Sequence, residues 1–85
     1  MPTKTATVGS AVGLHARPAA LIAEKAGSLG STVTLATPGG TPVDASSALM
    51  IMTLGAKKGD QVEVSSEDDQ ALATIASLVE QDLDA

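Results

Sequence analysis

The chain contains no cysteine, no phenylalanine, no tyrosine and no tryptophan, and only one histidine. Without cysteine there is no disulfide framework, no thiolate nucleophile and no zinc–thiolate site, and the redox compartment is left open. Without aromatic rings the core has to be assembled from Val, Ile, Leu, Met and a great deal of Ala, and the stacking platforms that single-stranded nucleic acid generally requires are missing. Long apolar runs are also absent. No segment approaches membrane-spanning length, and Met1-Pro2-Thr3-Lys4 lacks the apolar run of a signal peptide, so the cytoplasm is the expected location, with no membrane insertion. A single histidine and scattered carboxylates make no recognisable ligand cluster, so neither a metal nor a cofactor is expected.

Positive charge is scarce. Five Lys and Arg against ten Asp and Glu leave a net charge of −5, which disfavours DNA and anionic membrane surfaces as partners. The balance is uneven along the chain: residues 1–43 hold Lys4, Arg17 and Lys25 against Glu24, and residues 44–85 hold Lys57 and Lys58 against nine acids, a split of +2 and −7.

What remains is 85 residues, 44% of them hydrophobic, enough for one domain over 1–85 that buries roughly 60–65% of the surface its unfolded chain would expose. Lys4 to Val8 alternates, with Ala6 and Val8 on one face and Thr5 and Thr7 on the other, as in a half-buried strand. Gly9 to Gly13 reads as a short flexible loop. From Pro18 the period becomes helical, Ala19, Ile22, Ala23 and Ala26 forming the stripe and Gly27 the stop. Thr32 to Ala36 alternates again, and Thr37-Pro38-Gly39-Gly40 turns the chain into a short strand at Thr41 to Val43. Ser46 or Ser47 caps a short apolar helix that runs to Gly55, in which Met50, Ile51 and Leu54 are the expected core anchors. Gln61 to Ser65 is the clearest strand. Ser66 then offers a hydroxyl cap ahead of Glu67-Asp68-Asp69, and Leu72, Ile75, Ala76, Val79 and Leu83 trace a last helix. The order is β-α-β-β-α-β-α, an α+β fold whose antiparallel sheet is covered by helices on one side and wet on the other. Periodicity does not give the strand order.

The most informative stretch is Gly13-Leu14-His15-Ala16-Arg17-Pro18-Ala19-Ala20. Pro18 has no N–H to lose and suits a first helical turn, although it biases Arg17 away from helical dihedrals, so the helix is expected to begin between Ala16 and Pro18. That turn leaves backbone N–H groups free beside the positive end of the helix dipole. A lone histidine is ordinarily a surface or hydrogen-bonding residue. Here it lies beside an amide-lined anion pocket at Ala16 and Arg17 and a guanidinium that can grip phosphate oxygens.

This stretch resembles the active-site signature of the HPr family, the histidine-containing phosphocarriers of the bacterial sugar phosphotransferase system. Ser47 to Gly55, ending in Met52-Thr53-Leu54-Gly55, is similar to the family's second signature around a regulatory serine, and length and element order agree from end to end. The resemblance implies an open-faced β-sandwich of strand order 1-4-2-3 with three helices on one face. It also implies a carrier rather than an enzyme. His15 would take a phosphoryl group on Nδ1 from phosphorylated enzyme I, whose donor is phosphoenolpyruvate, and pass it to the IIA component of a sugar permease, with Arg17 assisting.

Ala16, Ala20, Ala48, Leu49, Met52 and Thr53 match the family's partner-contact positions, and Ser47 matches the residue that HPr kinase phosphorylates in some bacteria. A monomer is expected. Three positions depart from the family pattern: Val12, where relatives often carry a polar side chain, Ser46, in place of a basic residue, and Ala48, in place of a bulkier one. Two rival readings are a regulatory or nitrogen-branch paralogue that docks on regulators, and an unrelated ferredoxin-like ligand- or RNA-binding domain. The last would place aromatic or basic residues on the open sheet face.

Overall fold

The structure, a computed structural model, describes residues 2–83; of the single domain expected over 1–85, Met1, Asp84 and Ala85 lie outside the described residues. The elements are β1 (Thr3–Thr7), α1 (Ala16–Ser28), β2 (Val33–Ala36), β3 (Val43–Asp44), α2 (Ala48–Met52), β4 (Gln61–Ser66) and α3 (Asp69–Glu80). The strands form one antiparallel sheet of order β1-β4-β2-β3. This is the α+β, open-faced architecture that the resemblance implies.

Register explains why one face is covered and the other wet. Ala6 lies opposite Val62, and Leu35 opposite both Val64 and Val43, so these side chains share the face beneath the helices. The intervening pairs, Thr5 with Glu63, Thr7 with Gln61 and Thr34 with Ser65, share the other face, where the Thr3 and Ser65 hydroxyls lie 2.8 Å apart. That face offers no aromatic or basic platform among its paired residues, against the RNA-binding reading. The shortest dimension, 19 Å, accommodates one sheet and one helical layer.

The core is aliphatic. Ile22, Leu35, Ile51 and Ile75 are its largest fully buried side chains, and Ala6, Ala19, Ala45 and Ala76 are likewise inaccessible. Alanine at these positions lets backbones approach closely, which is how so small a chain without aromatic rings fills its interior.

Several local expectations are corrected. Arg17 is helical: the residue four positions before Pro18 is Leu14, outside the helix, so the ring meets no helical carbonyl, and burial of Pro18 and Ala19 anchors the turn. Gly27 does not stop α1, which continues through Ser28. The reversal falls at Gly30, whose φ of +73° is the left-handed conformation that glycine adopts freely.

Helix α2 ends at Met52 rather than at Gly55. Its exit tightens into i→i−3 hydrogen bonds, Leu54 N–H to Ile51 and Gly55 N–H to Met52. Ile51 is its one fully buried residue, Leu54 is half-buried, and Met50, read as a core anchor, is 42% exposed because the five-residue helix has room to bury only one side of a turn.

Ser66 does not cap α3. It is the buried last residue of β4, its hydroxyl donating to the Thr32 carbonyl at 2.8 Å and accepting from the Asp68 N–H at 3.1 Å. Asp68 is the cap, accepting from the Gln70 and Ala71 N–H groups at 3.0 and 3.3 Å and from the Ser31 hydroxyl at 2.8 Å. Leu83 lies beyond the end of α3 and packs half-buried on the core.

The Ser31 hydroxyl, then the Ala71 and Gln70 amides, hold the Asp68 carboxyl below its ordinary range, and the Ser46 amide and hydroxyl do the same for Asp44. A carboxyl whose folded value is depressed stabilises the fold at pH values above its unfolded value and loses that contribution as pH falls through the folded one. Thermal unfolding followed by circular dichroism should therefore give a steady Tm from neutrality to about pH 4 and a decline below it. Asp68→Asn should lower the neutral Tm and flatten the acid decline.

Candidate functional site

The loop between β1 and α1 is held at both ends, through Val8 to Ser10 and through Gly13 and Leu14. The Val8 N–H donates to the Asp60 carbonyl and the Gly59 N–H to the Val8 carbonyl, both at 2.9 Å. Gly9 donates to the Val79 carbonyl at 3.0 Å and packs so closely on the end of α3 that an added Cβ would overlap the Glu80 carbonyl. Ser10 is fully buried, its hydroxyl donating to the Gln81 carbonyl at 3.3 Å and accepting from the Leu83 N–H at 3.2 Å. The segment read as flexible is therefore clamped: its glycines serve close approach, and its serine ties it to the segment after α3.

Gly13 is the tightest position. Its φ is +76°, and a Cβ there would overlap the Ala56 carbonyl oxygen and sit 2.8 Å from the Lys57 Cα. The next residue, Leu14, donates its N–H to the same Ala56 carbonyl at 3.0 Å and buries its side chain. With Leu14 turned inward, His15 is turned out. It is the N-cap of α1, with φ −90° and ψ −166°, its carbonyl accepting from the Ala19 N–H at 2.9 Å and its exposed imidazole making no capping bond. Because Pro18 has no N–H and the Ala19 N–H is used, the free amides of the first turn are those of Ala16 and Arg17, and Arg17 itself is exposed.

An open depression of about 260 Å³ beside His15 is lined by Val12, Leu14, Met52, Gly55, Ala56 and Lys57. Of the partner-contact positions expected from the sequence, Ala16, Ala20, Leu49 and Thr53 are exposed, and Ala48 and Met52 are half-buried. Helices α1 and α2 pack together, and Met52 shares the depression with His15. Leu49 at 69% and Val12 at 61% are the most exposed large apolar side chains described. Ser47 is the N-cap of α2: its hydroxyl accepts from the Met50 N–H at 3.3 Å, while Ser46 bonds to Asp44 instead. Among the described residues no group of three or more His, Cys, Asp or Glu is placed to hold a metal ion.

A family model described as the PTS HPr component phosphorylation site matches residues 2–81. The chain belongs to the PTS HPr family. The phosphocarrier protein HPr of Streptomyces coelicolor is 38% identical to it over 78 residues, covering 92% of this chain and 84% of that one. The phosphocarrier protein NPr of Escherichia coli K12 is 31% identical, covering 88% and 87%. The crystal structure of HPr from Thermoanaerobacter tengcongensis superposes with a TM-score of 0.87 at 31% identity, covering 100% of this chain and 98% of that one. Family membership makes the chain a member of the phosphocarrier class of the phosphotransferase system, with relatives in bacteria.

Sequence reasoning missed Ser10 as a tether, and it took the loop carrying Lys57 for a connector. One signal was available: Lys57 and Lys58 are the only cations among the nine acids of residues 44–85.

The seating of Gly13 yields a direct test. Gly13→Ala is expected to destabilise the fold by about 2–4 kcal/mol, from a disfavoured φ and a backbone overlap together. Urea denaturation checks the loss, and the 1H–15N spectrum should shift at His15 and Lys57 together, because the substituted residue separates the two loops.

Proposed function

We propose that the protein is a phosphoryl carrier of bacterial sugar uptake. In this reading His15 accepts a phosphoryl group from phosphorylated enzyme I, charged in turn by phosphoenolpyruvate, and delivers it to the IIA component of a sugar permease. The observation that supports it is an exposed imidazole at a helix N-cap, free of any capping bond, beside the two unbonded amides of Ala16 and Arg17. The reading includes a cytoplasmic monomer; no helix of the described residues is long and apolar enough to cross a membrane.

On acceptance the electron pair of the His15 Nδ1 forms the new bond to phosphorus as the donor's P–N bond breaks, its electron pair returning to the donor imidazole. The proton that His15 gives up from Nε2 balances the one the donor ring takes up. On delivery the roles reverse, and the His15 Nδ1 takes back its pair as the acceptor's nitrogen bonds to phosphorus. In-line transfer needs the incoming ring to approach phosphorus opposite the ring that leaves, which an exposed histidine permits. Arg17 and the two amides offset the charge of the transferring group. The carrier must hold the phosphoryl group without stabilising it so strongly that the second transfer stalls. Docking is assigned to Ala16 and Ala20 on α1 with Ala48, Leu49, Met52 and Thr53 on and after α2, an apolar surface with an adaptable methionine suited to more than one partner.

A second reading is favoured by the similarity to NPr proteins: the same histidine working with nitrogen-branch partners or regulators. Which enzyme I and which IIA proteins exchange phosphate with the chain decides between them. Ser47 is a proposed regulatory site for HPr kinase, since a phosphate at the start of α2 would displace its capping bond and add charge beside the docking surface.

Incubation with phosphoenolpyruvate and enzyme I should put one acid-labile phosphate on the wild-type chain and none on His15→Ala. Arg17→Ala should keep the fold and slow transfer by roughly tenfold or more; acid-labile phosphate on His15→Ala would overturn the assignment. Treatment with the kinase and ATP should add a single acid-stable phosphate, read by intact mass, that Ser47→Ala lacks, and Ser47→Ala should itself cost about 1 kcal/mol as a lost cap.

A further inference from the structure

The depression beside His15 is walled by Val12, Leu14, Met52, Gly55, Ala56 and Lys57. Apart from His15, Lys57 is the only one of these with a polar side chain. Its backbone is fixed against the histidine loop, since its Cα lies where Gly13 leaves no room for a Cβ and the preceding Ala56 carbonyl receives the Leu14 N–H. A tight turn holds it there: the Lys57 N–H donates to the Asp60 carboxylate and the Asp60 N–H to the Lys57 carbonyl, both at 2.9 Å. The Asp60 carboxylate is thereby engaged with backbone, and no described carboxylate pairs with the Lys57 ammonium. A fixed base with a free four-carbon stem can bring its charge over the depression.

We propose that Lys57 is a phosphoryl-binding residue of the phosphorylated state, its ammonium donating to the oxygens of the group on His15 across the depression that the two residues share. The inference rests on the carrier reading of His15. The neutral imidazole offers the ammonium one acceptor nitrogen and no charge, whereas the phosphoryl group offers several anionic oxygens, so the larger effect appears once the phosphoryl group has arrived. It then favours the charged carrier over the free one, raising the share of phosphate that rests on this chain. Arg17 is the cation of the His15 segment itself; Lys58, next to Lys57, is exposed and does not line the depression.

The test lets two forms of the chain compete for the same phosphate. Equal amounts of wild type and Lys57→Met are mixed with limiting phosphoenolpyruvate and a trace of enzyme I, brought to equilibrium, and resolved by intact mass at alkaline pH. The phosphate should partition roughly three- to tenfold in favour of wild type, the range for one solvent-accessible charge-assisted bond. The preference should shrink as salt is raised, which a merely structural role would not produce. Lys57→Arg should recover most of it, and Lys58→Met should partition evenly with wild type. Even partition of Lys57→Met, or an equal deficit in Lys58→Met, overturns the assignment while leaving the carrier reading intact. No phosphate on wild type overturns both.

Discussion

The arrangement around His15 depends on one close contact, the seating of Gly13 on the backbone of Ala56 and Lys57. A side chain there would force the two backbones apart, and the conformation that glycine adopts directs Leu14 into the core while its N–H meets the Ala56 carbonyl. Everything exposed at the site follows from what is buried beneath it. The histidine faces solvent because its predecessor does not, and α1 starts where it does because Pro18 and Ala19 are anchored in the interior. The same contact brings the loop after α2 to the histidine, joining two segments about forty residues apart by counting along the sequence.

Charge is arranged with a similar economy. Helix α1 has 13 residues, a span of about 20 Å. Two hydrogen-bonded carboxylates, Asp44 and Asp68, are tied to Ser46 and Ser31 in the region of its C-terminal end, away from His15, while Asp60, on the loop beside the histidine, is engaged with the Lys57 backbone N–H. The two cations of the acidic half sit instead on the loop that touches the histidine segment. A chain of net charge −5 therefore keeps a locally cationic spot where an anion would be handled, and the fold places the neutralising groups without burying any of them.

Much of this was legible in the residues. The strands and the two long helices announced themselves through period, because each has one buried face and a pattern of two or 3.6 survives in the sequence. The strand order came only with the resemblance, since alternation records which face is inward but not which strand lies alongside. The errors have a common physical origin. Gly27 and Gly30, and likewise Ser66 and Asp68, are neighbouring residues equally able to stop or cap a helix, and the choice between them is made by tertiary contacts: Ser66 is taken up by the Thr32 carbonyl, which leaves the cap to Asp68. Gly9 to Gly13 looked loose because glycine is permissive, whereas here it is the residue that fits a crowded place.

The clamp at Gly9 and Ser10 also carries a consequence for the order in which the molecule is completed. These residues, near the start of the chain, are held by Val79, Gln81 and Leu83, across separations of about seventy residues. Contacts of that range close late, after local helices and hairpins have formed. The histidine loop thus lacks its full support until residue 83 has joined the fold, and a chain still emerging from the ribosome holds that loop by fewer of its contacts.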